Sequence, residues 1–310
     1  MSTAEIEAPT KGRFRRAATA ILNGDGRQLR HYAIRAGLNP EFAYPTARVL
    51  QFMRHPDAYV RRRLAQKLIH RNPVLDGVFD RGKGYGIIPM GAVPGFDAMA
   101  ATLRRLKEER APKITGDYYI KNIFEPEDMA RYPEVRDFVL SHEIIQLASD
   151  YLGAVPVLMT VQGWYTPQNN GLASSQLFHR DGIDYRQAKF VFNIADMPRS
   201  YGPFEFLPAD ISEHISTKLK KWRGRLTDEK IFEFCKPSDV VSTAGPAGAG
   251  FAVDGCRCFH YGGRAREGER LVLMISFGSY YSAMRAAQPV TGGEKWYPGD
   301  TLRQLVLGAA

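Results

Sequence analysis

Residues 176–185 read QLFHRDGIDY, with a histidine and an aspartate two positions apart, His179 and Asp181. Apolar residues precede the pair and Gly182 follows it. In extended backbone, residues i and i+2 point to the same side. If this run ends a strand of a closed sheet, both side chains face one point inside it. A metal site needs a third ligand, and the candidate is His260, in GFAVDGCRCFHYGGR at 250–264. It also ends a β-rich run and is followed by glycines. Two histidines and one carboxylate on jelly-roll strands form the facial triad of non-heme Fe(II) sites, which leaves coordination positions open for other ligands.

The surrounding texture supports such a sheet. From residue 155 onward, short β-rich runs alternate with turn residues: VPVLMTVQGWYT, SSQLFHRD, AKFVFNIADM, GPFEFLP and RLVLMISFGSYY. Several short strands at this spacing predict a sandwich or barrel. A long insertion at about 211–247, containing EHISTKLKKWRGRLTDEKIFEFCKP, interrupts them and reads as helical and then irregular.

The N-terminal part reads differently. Residues 1 to about 20 look loose, and the pattern from 26 to about 72 is helical. Val60, Leu64 and Leu68 recur every four residues on one helical face. The stretch RGKGYGIIPMGAVPG at 81–95 reads as a Gly/Pro-rich connector, and a charged helix follows. DYYIKNIF at 117–124 predicts a strand. YPEVRDFVLSHEIIQLASDYLG predicts a helix burying Val135, Phe138, Val139, Ile145 and Tyr151 and stopped by Gly153. His142 falls within this helix and reads as structural. The predicted organisation is α+β: a mainly helical region over 1–110, then a β domain with flanking helices over 111–310.

Composition narrows the function classes. The chain has 310 residues, 44% of them hydrophobic and 24% charged, so it can bury a full core. Three cysteines, Cys235, Cys256 and Cys258, are too few for a disulfide framework, and a reducing compartment fits them. No apolar run reaches the length of a membrane span, so a soluble, cytoplasmic protein is expected. The net charge of +9 is concentrated early, in KGRFRR and YVRRRLAQKLIHR. The chain has no zinc-finger spacing, RGG tract or aromatic-interleaved basic strand, which disfavours nucleic-acid binding. A basic docking element at the N-terminus remains an alternative use of these charges.

A further basic residue completes the pattern. Arg270 opens the strand run RLVLMISF, and an arginine fork suits bidentate capture of a carboxylate. Arg264 and Arg266 are its competitors, in the loop after His260.

In this order of residues, the chain resembles the phytanoyl-CoA dioxygenase-like branch of the Fe(II)/2-oxoglutarate-dependent oxygenases over about 115–285. His179 and Asp181 match the family's His-x-Asp, His260 its distal histidine, and Arg270 the arginine that binds the remote carboxylate of 2-oxoglutarate. YGPFEFLPADISEH resembles the family segment Gly-x-Leu-x-x-x-Pro-Gly-Ser-His but has Ala209 and Asp210 in place of Gly and Ser. His214 matches that segment only loosely and is not counted as a ligand. The resemblance implies a double-stranded β-helix (jelly roll), Fe(II), 2-oxoglutarate and O2. It also implies oxidation of a C–H bond on a small-molecule substrate, with hydroxylation as the default outcome. Halogenation is disfavoured, because Asp181 occupies the position that halogenases free for chloride.

Other residues are weaker candidates. Gln162 is a candidate contact to the cosubstrate, and Trp164 a candidate lining residue on the same strand face. Asn193 either reaches the site or satisfies backbone groups. Arg180, Arg186 and Arg257 flank the metal positions and could hold an acidic substrate group. The basic charge balance favours an anionic substrate. The rival reading is a non-redox, cupin-like metal jelly roll, such as an isomerase or a sugar-binding module. It needs the metal but has no use for Arg270.

Overall fold

The computed structural model describes residue 29 and residues 43–114, 119–219, 224–281 and 295–308. The loose segment expected over 1–20 lies outside these residues, as do positions 220–223 of the insertion. The described chain combines helices with two antiparallel sheets. The helices are α1 (Ala43–Arg54), α2 (Pro56–Ala65), α3 (Phe96–Arg110), α4 (Pro133–Val139), α5 (His142–Leu152), α6 (Ala209–Leu219), α7 (Asp228–Phe232) and α8 (Thr301–Val306). The strands are β1 (Tyr85–Ile88), β2 (Lys121–Phe124), β3 (Val157–Thr166), β4 (Gln187–Asn193), β5 (Glu205–Phe206), β6 (Val241–Ser242), β7 (Gly250–Val253), β8 (His260–Tyr261) and β9 (Arg270–Gly278). The large sheet runs β1-β7-β4-β9-β3-β2 and the small one β6-β5-β8. No described helix is long and apolar enough to cross a membrane.

The two central strands of the large sheet are buried on both faces, which is why they read as nearly continuous apolar runs. The period of two still sorts their side chains. Ala188, Phe190 and Phe192 of β4, and Leu271, Leu273, Ile275 and Phe277 of β9, join the main core. That core includes Leu103 and Leu106 of α3, Val135 and Phe138 of α4, and Ile145 and Tyr151 of α5. The alternate residues Val191, Val272 and Met274 turn the other way and pack with Phe204, Phe206 and Val253 between the sheets. Lys189 and Arg270 share this inner parity.

The long helix predicted over 132–153 is two helices. Ser141 has extended backbone and its side chain accepts from the Ile144 N–H, so it caps a new helix, α5, rather than continuing α4. Gly153 ends α5 in the left-handed region at φ +86°. The five residues predicted to be buried here are buried.

Three further expectations differ from the structure. Val60, Leu64 and Leu68 are exposed, at 54%, 57% and 47%, while Ala58, Arg62 and Ala65 face inward. The inward face is chosen by Arg62, which donates to the Val155 and Pro156 carbonyls and lies over the Tyr280 ring. Backbone carbonyls at the start of β3 need a donor there, which leucine cannot supply. The Gly/Pro-rich stretch at 81–95, read as a connector, contributes β1, an edge strand paired with β7. The strand expected over SSQLFHRD is reduced to the isolated bridges Phe178–Leu226 and His179–His260.

Gly86 shows how closely β1 is packed. A Cβ there would lie 1.9 Å from the Val78 carbonyl oxygen. Gly86→Ala must push the 78–79 backbone away, so a loss of about 1–3 kcal/mol in urea unfolding is expected. Wild-type stability in this variant would show that β1 does not lie against Val78.

Candidate metal centre

His179, Asp181 and His260 come together, each with a ligand atom within 4.8 Å of the others. Backbone pairing sets this geometry. The His179 N–H donates to the His260 carbonyl at 3.0 Å, and the His260 N–H donates back at 2.9 Å. The Asp181 N–H donates to the Gly255 carbonyl at 2.7 Å, which fixes the second residue of the His-x-Asp pair against the turn after β7.

Both imidazoles are set for coordination. His179 Nδ1 lies 2.8 Å from the Leu177 carbonyl and His260 Nδ1 lies 2.9 Å from the Cys258 carbonyl. A carbonyl only accepts, so each Nδ1 carries the proton and each Nε2 presents a lone pair. Burial, with His260 alongside, pushes the His179 pKa down to about 3, so that imidazole is neutral at physiological pH. His260 Nε2 sits 3.6 Å from Asp181 Oδ1, and the ring of Phe204 stacks on His260 at 5.0 Å. Burial alone would raise the pKa of the Asp181 carboxyl. Lys189 and His260 outweigh that and hold it well below the usual carboxylate range. Two imidazole nitrogens beside an ionised carboxylate are a donor set suited to a divalent first-row metal.

The three residues open onto a cavity between the sheets. Ser175, Lys189 and Arg270 are its other polar lining, and Ile120, Trp164, Phe204, Gly262 and Met274 its apolar part. Arg270 is 1% exposed, yet its Nε and Nη1 have no hydrogen-bond partner among the described residues. Burial pushes its pKa down only to about 10, so it keeps its charge at neutral pH. Gly262 abuts the guanidinium, since a Cβ there would meet Arg270 Nη2 at 3.4 Å. Thr166, directly across the β3–β9 ladder from Arg270, also has a buried hydroxyl without a partner.

The other sequence candidates fall in different places. Trp164 lines the cavity, whereas Gln162, opposite Met274 in the ladder, does not. Arg180 lies between the two ligands in sequence and therefore points the other way, donating to the Cys256 carbonyl and to Ser216 on α6. Arg186 lies over the Tyr151 and Tyr185 rings. Arg257 pairs with Glu213 and donates to the Arg81 carbonyl. These three arginines tie loops and helices to the sheets and none lines the cavity. Arg264 makes a two-pronged pair with Asp228, so its fork is already filled. Asn193 donates to the Thr243 carbonyl, and His214 is exposed on α6. His142 begins α5, where it accepts from the His70 N–H and stacks on that ring.

Lys189, Gly255 and Thr166 were not anticipated. A lone lysine inside AKFVFN was the available signal, because a charge in a doubly buried strand needs a buried partner. That partner is Asp181, with Lys189 Nζ 2.5 Å from Oδ2.

No protein-family model matches the chain, and no curated protein matches it. Solved structures with a similar course of the chain exist at low identity. The epimerase SnoN, in complex with Fe3+, alpha ketoglutarate and nogalamycin RO, is 15% identical, with 71% of this chain and 85% of that one covered at a TM-score of 0.47. EvdO2 from Micromonospora carbonacea var. aurantiaca is 16% identical over 67% of this chain and 91% of that one, also at 0.47. EctD from S. alaskensis with bound Fe is 18% identical over 68% and 77%, again at 0.47. Likeness at this level assigns no role to any residue.

Gly255 tests the packing around the ligands. A Cβ at this position would lie 2.4 Å from Asp181 Oδ2 and 3.2 Å from Lys189 Nζ. Gly255→Ala should displace the carboxylate and weaken Mn2+ binding by roughly tenfold or more, whereas His260→Ala should abolish it while the protein stays folded. Titration followed by electron paramagnetic resonance reads both variants, and unchanged affinity in His260→Ala would remove this residue from the ligand set.

Proposed function

We propose that the protein is an Fe(II)- and 2-oxoglutarate-dependent oxygenase on a double-stranded β-helix, in the phytanoyl-CoA dioxygenase-like branch, acting on a small-molecule substrate. The observation that carries this reading is Arg270: a buried guanidinium with two nitrogens unpartnered among the described residues, in the same cavity as His179, Asp181 and His260. Burying an unpaired charge is costly, and a chain that does so keeps a place for an anion. A bare metal jelly roll would have no use for that group.

His179 Nε2, His260 Nε2 and one Asp181 oxygen would hold the iron. Arg270 would take the far carboxylate of 2-oxoglutarate, with the Thr166 hydroxyl as an added donor across the ladder. When bound, iron and 2-oxoglutarate together activate O2, 2-oxoglutarate leaves as succinate and CO2, and a substrate C–H bond is oxidised. Trp164, Phe204 and Met274 wall the cavity with apolar surface and exclude water from the reacting carbon. The Nδ1–carbonyl hydrogen bonds keep both imidazoles in the coordinating tautomer throughout.

Two measurements test this reading. The purified protein should release succinate from 2-oxoglutarate with Fe(II) and not with Zn2+, which has no accessible redox step. Truncating one partner of a buried charge pair costs about 2–5 kcal/mol, so Arg270→Leu should weaken 2-oxoglutarate binding by roughly thirty-fold or more. Arg270→Lys should retain part of the binding, because it keeps the charge and loses the fork. Full activity with zinc alone, or wild-type 2-oxoglutarate affinity in Arg270→Leu, would overturn the assignment.

A further inference from the structure

Lys189 adds a charge to the cavity that neither metal nor cosubstrate binding calls for. It stands on the inner face of β4 with a side chain only 8% exposed, and its ammonium is 2.5 Å from Asp181 Oδ2. It lies 5.8 Å from the centre of the Phe204 ring, which itself stacks on His260. Gly255 leaves the space in which the Asp181–Lys189 pair sits. The lysine thus takes Asp181 Oδ2, while Oδ1 is the oxygen 3.6 Å from His260 Nε2.

The charge balance of the cavity follows. Asp181 carries one negative charge, and Lys189 and Arg270 carry one positive charge each. A divalent cation entering alone would add two more positive charges to a buried space already positive by one. In low dielectric surroundings like charges this close repel strongly. An anion entering with the cation, such as the 2-oxoglutarate dianion, cancels the added charge. Without Lys189 the same set of groups would already be neutral once cation and dianion were both present.

We propose that Lys189 couples metal and anion binding: it is the internal counter-ion of Asp181 in the metal-free protein, opposes a divalent cation arriving alone, and makes the anion a condition for tight metal binding. This rests on the metal and 2-oxoglutarate sites proposed above. Lys189 is a positioning residue in this scheme, since it acts through Asp181 and the local charge. Coupling of this kind is reciprocal, so the metal tightens the anion by the factor with which the anion tightens the metal. A merely structural lysine predicts the opposite sign, because its loss would loosen Asp181 and weaken the metal.

The test titrates Mn2+ into the full-length protein by electron paramagnetic resonance, with and without saturating 2-oxoglutarate. In Lys189→Met, Mn2+ alone should bind about tenfold tighter than in wild type, and the factor by which 2-oxoglutarate tightens it should shrink by about tenfold. Lys189→Arg, which keeps the charge, should retain the wild-type coupling. Lys189→Gln, a polar replacement, guards against misfolding of the methionine variant, and circular dichroism checks the fold of each. Folded Met and Gln variants that bind Mn2+ no more tightly than wild type, or that keep the full coupling factor, overturn the proposal. Mn2+ binding that survives His260→Ala overturns the metal site itself, which is a separate failure and is read in the same titration.

Discussion

Two main-chain hydrogen bonds between His179 and His260 hold the candidate site together. They join the segment before β4 to the start of β8, which are far apart in sequence, and place the imidazole rings 4.4 Å apart. Side-chain hydrogen bonds then set the rest. Each Nδ1 is held by the carbonyl two residues earlier, from Leu177 and Cys258, so both rings use the same local device. Because the carbonyl belongs to the same short extended segment as its histidine, ring orientation is set locally and only the pairing is long-range.

Around this bridge the sheets supply the charges. β4 and β9 are neighbours and antiparallel, and their outer residues pack into the large core under α3, α4 and α5. The hydrophobic packing on that face fixes the register, since a slip of one residue would send Phe190 and Leu273 into the cavity. The same register turns Lys189 and Arg270 inward. Burying two cations beside one carboxylate is unfavourable for the empty fold, and among the described residues Asp181 alone is within pairing distance of either. The apolar face therefore stabilises a charge arrangement that would not form by itself, a common condition of sites that bind ions.

Charges outside the cavity serve the fold. Arg62, Arg180, Arg257 and Arg264 each reach a backbone carbonyl, and Arg257 and Arg264 also pair with Glu213 and Asp228. These contacts pin irregular segments whose carbonyls have no strand partner. The basic excess of the chain is thus partly structural, which lessens its value as a pointer to an anionic partner. Arg270 differs from them in having no such contact at Nε or Nη1.

Much of the site could be read from the chain alone. The grouping of His179, Asp181, His260 and Arg270 around one cavity was visible because His-x-Asp, a distant histidine and an arginine opening the next strand stand at strand ends, where alternation turns them to one side. The α+β character followed from helix-period segments giving way to short β-rich runs, and the buried residues Val135, Phe138, Val139, Ile145 and Tyr151 of α4 and α5 followed from helical periodicity. The sequence could not reveal which face of α2 turns inward, because carbonyls at the start of β3 recruit Arg62 and override the apolar stripe. Nor could it reveal β1, four residues whose partner lies on the distant β7. Arg180, Arg186 and Arg257 looked like pocket residues by proximity in sequence, yet strand alternation and neighbouring loops turned them away. Lys189 beside Asp181, and the glycine that makes room for both, belong to the tertiary structure alone. Their meeting depends on the register between β4 and β7, which long-range packing sets and no local pattern encodes.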